Sequence, residues 1–528
     1  MKTWKRGLSP RSRQAAHIAP ILVLAGCMTA GGGATQASRY DEPYRPQFHF
    51  SPPTSWMNDP NGLVYTDGEY HLFYQYYPDS TVWGPMHWGH AVSPDLVHWQ
   101  HLPIALAPDS LGYIFSGSAV VDRRNTAGFQ TGEALPVVAI FTQHDPVGAA
   151  AGRDDFQTQG LAYSNDRGRS WTVFTDNPVL PNPGMRDFRD PKVRWHEETQ
   201  QWVMALAAGD HIRFYGSPDL KAWRYLSSFG ADAGAHGGVW ECPDLFPLTA
   251  PDGRARWVLL VSINPGAPNG GSGTQYFIGA FDGTTFTSEN PPETSLWLDW
   301  GRDNYAGVTW SDVPEADGRR LFIGWNSNWN YGQQVPTAPW RSAMTLPRSL
   351  SLIETEQGLR VASQPVAELL GLRGAGTTLG AAAVDSLLAI DELTDPSRFE
   401  AILDVDLGGT ARELGVELAN VRGERYRFGY DREAGQLFSD RRDARRTPFS
   451  ETFAKDRHVA PYHARGSRLR LHFFVDRSSV EVFVDGGAVV VTELVFPSAP
   501  FDQVRLVAEG GGATLVAAEL YQLQSIWE

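Results

Sequence analysis

The chain has 528 residues, 42% of them hydrophobic, enough for two or more domains with real cores. Its 53 glycines, 36 prolines and 18 tryptophans favour a turn-rich all-β architecture over a helical one. The net charge of −15 argues against a nucleic-acid partner, the two cysteines (Cys27 and Cys242) support neither a disulfide framework nor a zinc cluster, and no apolar run reaches the roughly 20 residues of a membrane span.

The N-terminus carries Lys2, Lys5, Arg6, Arg11 and Arg13, turns apolar from Ile18 to Ala25, and reaches Leu24-Ala25-Gly26-Cys27. This resembles a bacterial lipoprotein signal over residues 1–27, with cleavage before Cys27 and lipid on its thiol. The alternative is an ordinary secretory signal cut near Ala37. Either reading implies export, and the first limits membrane contact to a lipid anchor at the cell envelope. Residues 28–42 are small and polar and read as a flexible tether.

From residue 43 the texture is that of strands. Asn58-Asp59-Pro60-Asn61-Gly62 is a polar knot ahead of a hairpin turned at Thr66-Asp67-Gly68, since Asp-Gly accepts the positive φ such turns need. Tyr70, Leu72, Tyr74 and Tyr76 fall on one face of the following strand, and His71, Phe73, Gln75 and Tyr77 on the other. Short apolar runs follow, among them 89–93, 116–121, 137–142, 202–207, 257–262, 275–281 and 321–325. A repeat joins them. Ser93-Pro94-Asp95 leads to Trp99, Ser164-Asn165-Asp166 to Trp171, Ser217-Pro218-Asp219 to Trp223, and more weakly Asp282 to Phe286. The intervals between these Asp residues suit a blade of four antiparallel strands, so residues 43–360 read as a β-propeller.

Tryptophan is then absent between Trp340 and Trp527, and residues 361–528 alternate regularly. Eight or so short strands with one apolar face suggest a β-sandwich, a support for the propeller rather than a second binding module. Arg441, Arg442, Arg445 and Arg446 read as a solvated charged run.

Three acidic residues share one setting: Asp59 before Pro60, Asp190 before Pro191, and Glu241 two residues before Pro243, each at the start of a strand. The innermost strands of a propeller line its channel, so three blades would aim three carboxylates at one point. Closely placed carboxylates separate into acid and base roles, which is what glycoside cleavage requires. Singly, each has a structural explanation: a turn cap for Asp59, an ion pair with Arg189 for Asp190, a strand contact for Glu241. Cys242 reads as a small buried neighbour of Glu241 rather than a nucleophile, and Trp88 competes as core.

The stretches Trp56-Met57-Asn58-Asp59-Pro60-Asn61-Gly62, Phe188-Arg189-Asp190-Pro191 and Glu241-Cys242-Pro243-Asp244 resemble the three signature motifs of glycoside hydrolase family 32, the β-fructofuranosidases. Phe115-Ser116-Gly117-Ser118-Ala119 and the segment 81–91 match further family motifs. Segments 236–240 and 271–276 are similar to bacterial exo-acting levanases. The resemblance implies a five-bladed β-propeller followed by a C-terminal β-sandwich, and a retaining hydrolase releasing fructose from levan, inulin or sucrose without metal or cofactor. It implies Asp59 as nucleophile, Glu241 as acid/base and Asp190 as transition-state stabiliser oriented by Arg189. Asn58, Gln75, Trp83, Phe115, Ser116, Asp303 and Trp340 would bind sugar. Asn304 stands where the family often has an aromatic, which is expected to reshape the site near the leaving group. A fructosyltransferase on the same scaffold, or a non-catalytic fructan-binding surface protein, are the alternative readings.

Overall fold

The structure, a computed structural model, describes residues 40–444, 448–462 and 466–527. The expected leader with Cys27, and residues 28–39 of the expected tether, lie outside the described residues. Tyr40 already stacks on Trp527, with ring centroids 4.0 Å apart, so the end of the expected tether is docked on the C-terminal segment.

Five sheets of four or five strands form blades I to V. Their inner strands are Ser55–Thr66, Tyr113–Val121, Phe188–His196, Val239–Thr249 and Tyr305–Thr309. Each touches the inner strand before and after it, and that of blade V meets that of blade I, so the five close into a ring. Trp340 and Arg341 pair in parallel with Ser55 and Trp56 and tie the late chain into blade I. The apolar runs read from sequence all fall within strands. The hairpin at Asp67-Gly68 forms with φ of 52° and 89°, the left-handed conformation its residues were read to accept. Blade strands are covered on both faces: Leu72 and Tyr74 enter one core cluster, Phe73 another.

The expected boundary at 360 falls inside the outermost strand of blade V, Gly358–Pro365, and the chain crosses to the sandwich through a 3-10 turn at Ala367–Leu372. A seven-stranded and a six-stranded sheet then enclose a core that includes Phe428, Leu471 and Val482. The strands beyond the expected eight or so, such as Arg373–Leu379, Leu387–Ile390 and His458–Pro461, are edge strands. Arg373–Leu379 is largely exposed, so it carries no alternation for a sequence to reveal.

Propeller and sandwich share a core in which Phe474, Phe483 and Leu523 pack with Phe48, Phe50 and Leu346. Buried charges cross the same contact. His49 bonds Asp476 at 2.8 Å and Glu481 at 3.1 Å. Arg348 reaches Asp299 at 3.0 Å and Glu481 at 2.7 Å. Arg441 reaches Asp303 at 2.5 Å and Glu493 at 2.9 Å. Arg441 is therefore not part of a solvated run but fully buried, because carboxylates distant in sequence surround it. Arg442 does stay exposed, paired with Asp440 at 2.6 Å, and Arg445 and Arg446 lie outside the described residues.

Candidate active site

Every inner strand of the propeller loses register with its neighbour near its start. The bulged residues are Asn58-Asp59 in blade I, Phe115-Ser116 in blade II, Asp190-Pro191 in blade III, Cys242-Pro243 in blade IV and Ala306-Gly307 in blade V. A bulge bends its strand and re-aims a side chain. Here five bulges around one ring bring polar side chains to the channel mouth: Asp59, Ser116, Asp190, Glu241 and Tyr305. Asp190, Cys242 and Ala306 take positive φ of 67°, 46° and 54°, an unfavourable conformation for non-glycine residues that clusters at functional sites. The three acids were expected at strand starts, and they lie within the first five residues of their strands, Asp59 and Asp190 in these breaks and Glu241 directly before one.

The side chains touch one another. Ser116 Oγ donates to Asp59 Oδ2 at 2.7 Å, and Asn58 Nδ2 to Asp59 Oδ1 at 2.9 Å. Trp56 Nε1 donates to Asn58 Oδ1 at 2.7 Å, which sets the amide's orientation. The Cys242 amide donates to Asp190 Oδ2 at 3.0 Å, and its Sγ lies 3.6 Å from both Asp59 Oδ2 and Asp190 Oδ2. Arg189 donates through Nε and Nη2 to Glu241 Oε1, at 3.2 and 2.9 Å, and through Nη1 to Asp187 at 2.6 Å. The Tyr305 hydroxyl donates to Glu241 Oε2.

Burial pushes the Asp59 carboxyl up, hydrogen bonds from Ser116 and Asn58 oppose this, and the Glu241 charge adds to it. Asp190 is also raised, first by burial; Arg189 pulls it down, and Glu241 and Asp59 push it up. Burial and the neighbouring carboxylates hold the Cys242 thiol and the Tyr305 phenol well above their usual ranges, so both stay protonated donors. That makes Cys242 a buried spacer between Asp59 and Asp190, where the sequence reads it as a small buried neighbour of Glu241.

A cavity of about 410 Å³ opens over these groups. Its walls include Asn58, Gln75, Trp83, Phe115, Ser116 and Arg189, six of the residues that the family resemblance implies at the site. Trp83 meets Phe115 edge-on, ring centroids 5.9 Å apart, and stays partly exposed. Trp88 is wholly buried core. Two expected sugar-binding residues do not line the cavity. Asp303 is fully buried at the sandwich contact, accepting from Tyr331 at 2.6 Å and from Arg441. Trp340 is buried beneath Arg45, whose guanidinium lies 4.4 Å from its ring. Asn304 is likewise remote, its Nδ2 donating to Asp299 at 3.2 Å, so the departure there bears on the domain contact rather than on the leaving group.

Sequence reasoning missed Tyr305 as a partner of Glu241, and Asp187, Trp329 and Gln333 as wall residues. Tyr305 carried a signal, since it stands at the start of a blade's inner strand as Glu241 does. The others sit in loops with no repeating context.

Comparison with known proteins places these features. The description "Glycosyl hydrolases family 32 N-terminal domain" matches residues 49–365, and "Glycosyl hydrolases family 32 C terminal" matches 368–522. A levanase of Bacillus subtilis (strain 168) is 49% identical over 507 residues, 95% of this chain and 73% of that protein. An extracellular exo-inulinase of Aspergillus niger is 39% identical, covering 96% of this chain and 99% of its own. The crystal structure of exo-inulinase from Aspergillus awamori superposes with a TM-score of 0.85 at 38% identity, over 92% of this chain and all (100%) of that one. A β-fructofuranosidase from Schwanniomyces occidentalis, complexed with fructosyl-erythritol, gives 0.80 at 30% identity, over 93% and 99%.

Proposed function

The chain belongs to glycosyl hydrolase family 32, and from that premise we propose that it removes terminal β-fructofuranosyl units from levan, inulin and sucrose with retention. The observation that carries this is the meeting of Asp59, Asp190 and Glu241 at one cavity, through Cys242 and Arg189.

Asp59 attacks the anomeric C2 and forms a covalent ester as the C2–O bond to the leaving group breaks; Glu241 gives its proton to that departing oxygen. Glu241 then takes a proton from water, the water oxygen bonds C2, and Asp59 leaves as carboxylate with fructose released. Ser116 and Asn58 hold the Asp59 oxygens in place for attack. Asp190 accepts from fructose hydroxyls, interactions that strengthen as charge builds on the ring. Arg189 orients Glu241. Beneath the acids, Pro60, Gly117, Pro191 and Pro243 leave a gap of only about 10 Å³. A blind-ended cavity suits the end of a fructan chain, which favours exo action.

Export follows the leader and the extracellular exo-inulinase relative, and Cys27 is the proposed lipidated residue. Cys27→Ser should move activity from the membrane fraction to the soluble one.

The function is tested by product analysis on levan and inulin: free fructose should be the first and main product. Asp59→Ala and Glu241→Ala should each lose several powers of ten in turnover while keeping the wild-type circular dichroism. More than about 10% residual activity in either would reassign its role.

A further inference from the structure

Farther along the same inner strands, beyond the floor of the catalytic cavity, lies a second cavity of about 320 Å³. Its walls come from blades II to V, and its charged groups are mostly basic: Arg123, Arg124, Lys192, Arg194, Arg319 and Arg320. Four of these have carboxylate partners. Lys192 pairs with Asp244 at 3.2 Å, Arg123 with Asp312 at 3.3 Å, Arg124 with Glu197 at 2.6 Å, and Arg319 with Asp317 at 2.7 Å and Glu368 at 2.8 Å.

Arg194 and Arg320 have no ion-pair partner among the described residues. Each guanidinium makes one long bond to a carbonyl, Arg194 Nη1 to Leu245 at 3.3 Å and Arg320 Nη1 to Trp310 at 3.4 Å. Arg194 lies 4.6 Å from the Trp257 ring and Arg320 5.2 Å from the Phe246 ring. The Nε of each is buried without a hydrogen-bond acceptor. The nearby carboxylate acting on both is Asp244, which also lines the cavity and already pairs with Lys192 at 3.2 Å. Two half-buried guanidinium groups with unused donors thus share one counter-charge with a lysine, and a further anion would stabilise them.

We propose that Arg194 and Arg320 form a binding site for a small tetrahedral oxyanion, of the phosphate or sulfate class, at the far end of the propeller channel. The planar donor forks of two arginines match such an ion better than they match a monatomic one. Burial depresses both guanidinium groups below their usual range, the Arg320 charge adds to this at Arg194, and the Asp244 carboxylate opposes it at both; a bound anion acts in the same direction as Asp244. Neutral fructan has no use for the site, and the proline-lined floor separates it from the reaction. Its role is to join blades III and V, which contribute one arginine each.

The test is calorimetric titration and thermal unfolding of the full chain with sodium phosphate or sodium sulfate, against sodium chloride at equal ionic strength. The wild type should bind about one oxyanion per chain and gain about 3 °C at saturation. The Arg194→Gln/Arg320→Gln variant should show neither effect while keeping kcat and KM on sucrose. The proposal is overturned if chloride stabilises as much, if acetate outperforms both oxyanions, if wild type gives no saturable heat, or if the double variant keeps the shift. Should the double variant fail to fold, Arg320→Gln alone should bind phosphate at least about tenfold more weakly, the loss of one charge-assisted contact; unchanged affinity would equally overturn the site.

Discussion

Asp59 and Asp190 in the catalytic cavity, and Asp476, Glu481 and Glu493 at the contact between propeller and sandwich, all feel burial pushing them toward the neutral form. At the contact, cations more than offset it: His49 serves Asp476 and Glu481, Arg348 serves Glu481, and His458 and Arg441 serve Glu493, so those carboxyls sit below their usual range. In the cavity the Arg189 guanidinium is bonded to Glu241 and Asp187, and Asp59 and Asp190, which have no cation bonded to them among the described residues, stay raised. Burial is common to both groups; the supply of counter-charge separates the acids of the domain contact from those proposed as catalytic.

That contrast is sharpest between Asp190 and Asp303. Asp190→Asn should lower kcat about 10³-fold, the scale for losing one transition-state contact, with unfolding temperature unchanged. Asp303→Asn should do the opposite, lowering the unfolding temperature while kcat per folded molecule stays within about twofold. A kinetic defect in Asp303→Asn without destabilisation would return it to the sugar site.

Next in size, Arg441→Met leaves Asp303 buried without its cation and Glu493 with His458 alone, and should cost about 3–4 kcal/mol in denaturant unfolding, with activity of the folded fraction retained. Loss below about 1 kcal/mol would show that the surrounding donors suffice.

A pH effect of similar origin rests on His49, raised from 6.5 to about 9: burial opposes its charge, and Asp476 and Glu481 overcome that. A raised folded value stabilises the protonated state, so the contribution is complete below pH about 6.5 and is lost as pH climbs through about 9. It is on the order of 3 kcal/mol. Stability of the wild type should fall across that window, and His49→Gln should flatten the fall.

The smallest effect is expected at Tyr305. Tyr305→Phe removes one donor from Glu241 and should lower kcat about tenfold with KM nearly constant. Because the phenol holds Glu241 in place, the pH–rate profile should shift with it. An unchanged profile would make Tyr305 only a packing residue.

Much of the site was legible because its cause is local. An acid within two residues of a proline at a strand start is a mark that Asp59, Asp190 and Glu241 each carry, and the ladder breaks at or directly after each. The blade repeat then predicts convergence, since equivalent positions in a ring face one axis. The all-β class, the hairpin at Asp67-Gly68 and the alternating strands of the sandwich were local in the same way. Arg441, Asp303 and Trp340 were not. Arg441 looked like surface because its chain neighbours are basic, yet its partners lie 138 and 52 positions away, at Asp303 and Glu493. Sequence by itself settled that three acids stand at strand starts near prolines, because φ preference and proline act over two or three residues. Only the tertiary structure decided which charges meet, because Coulomb interactions in a buried contact depend on distance in space and on the loss of water, neither of which chain order records.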